Sequence, residues 1–311
     1  MIARAPGKLV LSGAYVVLEG APSLVAAVDR YVIADTRRVG ERLTEEVQAA
    51  QELGMLERVP WFDASALRAA VPGGGSRKLG LGSSAAILVA SLAAARAARG
   101  EALEQGSLFD AALWAHRVAQ GGGSGLDVAA SVFGGVMRCT LRLGVPAAGG
   151  PGPRVEVAPH ALPEGVVFTV LSSASEARTS AMLAQVRAFA AVDPAGHRSL
   201  LGEVARGAEA AIEARSVRAL VEALERQARA FEVLGERAGA PIVTPAVRAL
   251  RPVAAAEGAV ALPSGAGGGD VTLLVGEEAP SRALLARAIE LGLSPEPMRV
   301  GARGVQLDDG G

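Results

Sequence analysis

The chain has 311 residues, half of them hydrophobic, a formal charge of −1 at pH 7 and a single cysteine, Cys139. That length buries core enough for two lobes or one large domain without staples. The charge balance excludes a field that would gather nucleic acid or an anionic membrane, and one thiol excludes an intrachain disulfide or a thiolate metal cluster, which fits a reducing cytoplasm.

The opening, MIARAPGKLVLSGAYVVLEG, is interrupted by Pro6, Gly7 and Lys8 and lacks the order of a signal peptide, so it reads as structure. No apolar run reaches the roughly 18 residues of a membrane span. From Ile2 to Val39, β-branched stretches alternate with turn formers at Gly13, Gly20 and Pro22, which predicts short strands. Gly40 to Val71 reads as helical and polar, and Pro72 to Gly75 breaks it. After Gly80-Leu81-Gly82-Ser83-Ser84 the alanine-rich segment Ala85 to Arg99 predicts a buried helix, with Gly100 at its end. A second helix is predicted over Leu108 to Ala119 and a third from Val128, with Gly144 to Pro153 as a surface loop. Val166 to Leu171 predicts a strand, and Ala181 to Ala191 and Leu200 to Leu234 predict helices. Strands at Val260 to Leu262 and Val271 to Val275 flank a third glycine-rich turn, and a helix is predicted over Ser281 to Leu291. The mixture predicts an α+β class in two lobes, residues 1–160 and 161–311.

Three glycine-rich loops point to places where backbone meets a ligand. Gly80, Leu81, Gly82, Ser83, Ser84 and Ala85 head a helix whose unpaired N–H groups and dipole favour a phosphate. The bland reading is a turn with Ser83 or Ser84 as an ordinary N-cap. No glycine-lysine-serine or glycine-lysine-threonine triplet is present, so the loop is not a Walker A motif. Lys8 and Lys78 are the only lysines among 31 basic residues, and both fall in glycine-rich segments, where a compact ammonium reaches a phosphate as a guanidinium cannot.

The run GLGSSAA resembles the ATP-binding loop of the GHMP kinases, the family of galactokinase, homoserine kinase, mevalonate kinase and phosphomevalonate kinase. Pro6-Gly7-Lys8 through Tyr15 to Leu18 resembles the family's first motif, and Pro263-Ser264-Gly265-Ala266-Gly267-Gly268-Gly269-Asp270 its third. His116 to Gly121, running into Gly123-Ser124-Gly125-Leu126-Asp127, is similar to the phosphomevalonate kinase pattern, whereas mevalonate kinases carry a glutamate magnesium ligand where His116 stands. Ala14 departs from relatives that have a glutamate there. The resemblance implies an N-terminal lobe of the ribosomal-protein S5 domain 2 type, a ferredoxin-like C-terminal lobe, and ATP with Mg²⁺ in the cleft between them. It further implies Lys8, Lys78 and Asp127 as catalytic residues and Ser84, or else Ser83, as the Mg²⁺ ligand. Lys8, Tyr15, Ser124, Gly125, Asp127, Arg178, Thr179, Ser264, Gly267, Gly268 and Gly269 are implied around a small anionic acceptor, phosphomevalonate. A helix-capping role remains open for Asp127, for Thr179 and for Ser180. Mevalonate kinase, diphosphomevalonate decarboxylase and a non-catalytic nucleotide sensor are the rival readings, and monomer and homodimer both stay open. His116, His160 and His197 are too scattered to suggest a metal site. Trp61 and Trp114 read as packing residues, and the arginines of Arg206 to Arg237 as a solvated helix face.

Overall fold

The computed structural model describes residues 1–70, 74–174 and 179–308. In chain order the first elements are β1 (Ile2–Ser12), β2 (Ser23–Val39), α1 (Glu45–Glu52), β3 (Pro60–Asp63), β4 (Arg68–Ala70), β5 (Ser76–Lys78), α2 (Ser83–Ala98), α3 (Gln105–Gln120), α4 (Leu126–Phe133), β6 (Val136–Pro146) and β7 (Pro153–Pro159). There follow β8 (Val167–Ser173), α5 (Thr179–Val192), α6 (Pro194–Glu213), α7 (Val217–Ala238), α8 (Pro245–Ala256), β9 (Val260–Pro263), β10 (Val271–Gly276), α9 (Arg282–Glu290), β11 (Leu293–Glu296) and β12 (Gln306–Asp308). Helices and antiparallel sheets are mixed throughout, as an α+β class requires.

The chain forms two compact units: residues 1–9, 25–159 and 299–311 in the first, residues 10–24 and 160–298 in the second. The first is built on a sheet of order β12-β1-β2-β6-β7, with β3 added to β2. Its central helix is α2, whose residues from Ala85 to Ala94 are all buried. It is apolar all round and packs against α1, α3 and α4, so over this stretch α2 has no polar face. Two sequence expectations change here. Among the described residues from Gly40 to Val71 the only α-helix is the short α1, and Pro60–Asp63 is a strand paired antiparallel with β2 (Ala34 opposite Phe62). The strands expected over Ser23 to Ile33 are one strand of 17 residues. Trp61 is half-buried, with the Arg38 guanidinium 3.9 Å over its ring.

The second unit has the four-stranded antiparallel sheet β11-β8-β10-β9 and the helices α5 to α9. Helices α6 and α7 pack tightly because Gly207 faces Gln227; a Cβ there would lie 2.6 Å from Gln227 Cγ. Gln227 is fully buried and bonds Ser12 Oγ, while its Oε1 accepts from Gly13 N at 2.8 Å. Paired on both sides, this amide fastens the Gly13–Pro22 turn to α7 without a desolvation penalty. The charged face of α6 and α7 is laced with ion pairs such as Arg218–Glu222 and Arg229–Glu225, so its arginines are a solvated surface.

Candidate phosphate-binding site

Strand β1 runs directly against the Gly80 loop. Lys8 N donates to Leu81 O at 2.9 Å, and a Cβ on Gly7 would stand 2.9 Å from that same oxygen. The Lys8 ammonium donates to Gly80 O at 3.1 Å. Gly82 then takes the left-handed conformation at φ 72° and is itself the N-cap of α2, with no side-chain capping bond. That settles the bland alternative for the serines: Ser83 and Ser84 are inside the helix, and neither hydroxyl is spent on a cap. The first N–H groups of α2 therefore lack both an intrahelical and a side-chain acceptor, which is the arrangement that receives an anion.

Asp127 arrives from α4. Gly125, at φ 71°, caps that helix without a side chain, and a Cβ there would strike Leu113 Cδ1 at 2.5 Å. The turn must be glycine both for its dihedral and for its contact with α3. Asp127 lies in the first turn of α4, where an acidic side chain suits the helix dipole, and accepts from Val128 N at 3.0 Å without capping the helix. It also faces Gly82: a Cβ built on Gly82 would lie 3.0 Å from Lys8 Cγ and 3.3 Å from Asp127 Cβ. Lys8 and Asp127 thus flank one glycine at the head of α2, although three separate segments supply them. Ser124 is half-exposed immediately before Gly125.

His116 lies toward the C-terminal end of α3. It is 8% exposed, its Nε2 is 3.7 Å from Asp127 Oδ1, and its Nδ1 is buried without a hydrogen-bond partner. Lys78 sits at the end of hairpin β4–β5, exposed, two residues before Gly80.

The remaining expected residues fall in the second unit. Tyr15 has φ 67°, is 6% exposed and donates its hydroxyl to Ala266 O at 2.5 Å; burial pushes its phenol pKa up. Ser264 Oγ accepts from Val10 N at 3.0 Å and donates to Val10 O at 3.1 Å. Gly267 must be glycine, since a Cβ would come within 2.2 Å of Ile242 O, and Gly268 N donates to that oxygen at 3.2 Å. Gly269 O accepts from Ser173 Oγ at 2.6 Å. Tyr15, Ser264 and Ser173 therefore act first as ties that hold the glycine turn. Arg178 lies outside the described residues, and of Thr179 only its place at the start of α5 is described. Sequence reasoning missed Gln227; a lone glutamine on a helix otherwise apolar on that face was the available signal.

Residues 47–135, which span α1 to α4, match the model of the GHMP kinases N terminal domain. That segment of the first unit is thus similar to the N-terminal domain of the GHMP kinases. It is 29% identical to the phosphomevalonate kinase of Streptomyces sp. (strain CL190), over 91% of this chain and 91% of that protein. The mevalonate kinase of Archaeoglobus fulgidus is 33% identical over 43% of this chain and 51% of its own length. The fold is shared with Streptococcus pneumoniae phosphomevalonate kinase, solved in complex with phosphomevalonate and AMPPNP, at a TM-score of 0.76 and 20% identity over 96% of this chain and 99% of that one.

Proposed function

We propose that this chain is a phosphomevalonate kinase, which transfers the γ-phosphoryl group of ATP to 5-phosphomevalonate and releases 5-diphosphomevalonate and ADP. The observation that carries the phosphoryl-transfer reading is the convergence of Lys8 and Asp127 on Gly82, at a helix head whose amides are uncapped. The acceptor rests on the likeness to the Streptomyces enzyme, which runs along 91% of both chains, whereas the mevalonate kinase match spans about half of its relative.

Phosphoryl transfer between two anions needs alignment and charge neutralisation more than covalent chemistry. The α2 amides would cradle the ATP phosphates, and the Lys8 ammonium, fixed by Gly80 O, would offset charge on the transferred group. Lys78 would add a second charge from the hairpin. A phosphate acceptor has a second pKa of about 6 and attacks as its dianion, so it needs no strong base. Asp127 then acts as a positioning residue for Lys8. Mg²⁺ would supply further neutralisation of the phosphates. The Ser84 hydroxyl, at the head of α2 and not spent on a cap, would help hold it beside the nucleotide phosphates. We assign acceptor contacts to Ser124, Gly125, Arg178, Thr179 and the Gly267–Gly269 turn. We assign the reaction to the cytoplasm, a reading supported by the single cysteine of the chain.

A coupled ADP-release assay over mevalonate, phosphomevalonate, diphosphomevalonate, homoserine and galactose tests the reading. Turnover with phosphomevalonate at a kcat/KM far above the rest is expected. Preference for mevalonate would overturn the acceptor assignment, and ADP release with none of the five would overturn catalysis.

A further inference from the structure

Hairpin β4–β5 places Arg68 directly opposite Lys78. Directly opposed residues of an antiparallel pair point to the same face with Cβ atoms about 4.5–5.5 Å apart, and two like charges there repel. Nothing acidic relieves them: among the described residues the only bonds of the Arg68 side chain go to Ser76, from Nε to Oγ at 2.7 Å and from Nη2 to the carbonyl oxygen at 2.7 Å, and Lys78 makes no ion pair. A third cation, Arg30, is bonded to Ala66 O at 3.4 Å on the approach to the same hairpin. A short hairpin held together by so few contacts has no structural reason to oppose two cations.

Its position supplies a reason. Leu79 N donates to Leu67 O at 3.1 Å, so the ladder continues past Lys78 and delivers the chain straight into Gly80, whose carbonyl holds Lys8. The opposed pair is therefore anchored at the mouth of the loop that heads α2. Ser76 holds the guanidinium by two of its three nitrogens, which fixes its plane and reduces the side-chain freedom lost when an anion binds.

We infer that Arg68 is a nucleotide-binding residue, which with Lys78 forms a cross-strand clamp on the polyphosphate of a nucleoside triphosphate. This rests on the nucleotide reading above. Bound phosphate converts the mutual repulsion of the two cations into a shared attraction, and the Arg68 guanidinium contributes charge-assisted hydrogen bonds.

The test is calorimetric titration of AMPPNP, and separately of phosphomevalonate, into wild type, Arg68→Gln and Arg68→Lys, with equal far-UV circular dichroism as the check on folding. Arg68→Gln is expected to weaken AMPPNP about tenfold or more, to leave phosphomevalonate affinity within about twofold, and to be rescued in part by Arg68→Lys, which keeps the charge but not the two bonds to Ser76. AMPPNP binding unchanged in Arg68→Gln, a loss on the phosphomevalonate side instead, or no rescue by lysine would each overturn the inference while leaving the kinase reading intact. Failure of wild type to bind AMPPNP at all would overturn both.

Discussion

Replacing Gly82 with alanine probes the convergence of Lys8 and Asp127 with a single methyl group. Two costs follow from the structure. Gly82 sits at φ 72°, where an L-residue costs about 1–2 kcal/mol. The new Cβ would also lie 3.0 Å from Lys8 Cγ, 3.3 Å from Lys8 Cε and 3.3 Å from Asp127 Cβ, so both side chains must yield by a few tenths of an ångström. A domain with about 5–15 kcal/mol of stability remains almost wholly folded after such a loss. Any fall in rate beyond that measures the displaced site rather than unfolded protein. Because a misplacement of about 1 Å costs on the order of 10² in rate, Gly82→Ala is expected to lower kcat between about tenfold and a hundredfold. Denaturant unfolding and the coupled assay at saturating substrates give the two numbers separately. A variant destabilised by about 1–2 kcal/mol but turning over within about twofold of wild type would refute the idea that Lys8 and Asp127 work from their places beside Gly82.

Lys8→Arg and Lys78→Arg keep charge but not shape, and each is expected to lower kcat/KM severely, Lys8→Arg by about a hundredfold because a guanidinium cannot occupy the point that Gly80 O fixes; near wild-type kinetics in both would remove the argument from lysine scarcity. Asp127→Asn should lose rate through a misplaced Lys8 while kcat keeps the pH dependence of the substrate phosphate, near a pKa of about 6. Disappearance of an acidic limb that belongs to the enzyme would make Asp127 the general base instead. Burial pushes the Cys139 thiol up to about 12, above its unfolded value of about 8.5. The folded state therefore keeps its proton while the unfolded state loses it, and stability present below about 8.5 should fall by about 1.4 kcal/mol per pH unit from there to about 12. Unfolding titrations of wild type and Cys139→Ala across that range should diverge in slope, and parallel curves would count against a buried thiol.

Local chemistry was enough to place the loops and most of the helices. The Gly80–Gly82 turn, the alanine-rich α2 and the glycine-lined end of α3 announce themselves because glycine dihedrals and helix propensity act over a few residues. The scarcity of lysine marks Lys8 and Lys78 from sequence alone. The segment from Gly40 to Val71 departs from its helical pattern because Pro60–Asp63 is a strand only by virtue of its pairing with β2, and that energy lies in a partner remote in sequence. The same limit applies to the way the chain is divided, where residues 299–308 rejoin the first unit and β12 pairs with the edge of β1. It applies equally to Gln227, whose buried amide has value only because Ser12 and Gly13 meet it. Sequence identified glycine and charge; tertiary structure alone decided that Lys8 and Asp127 share one glycine, because the close packing of three segments remote in sequence is set by contacts that no local pattern encodes.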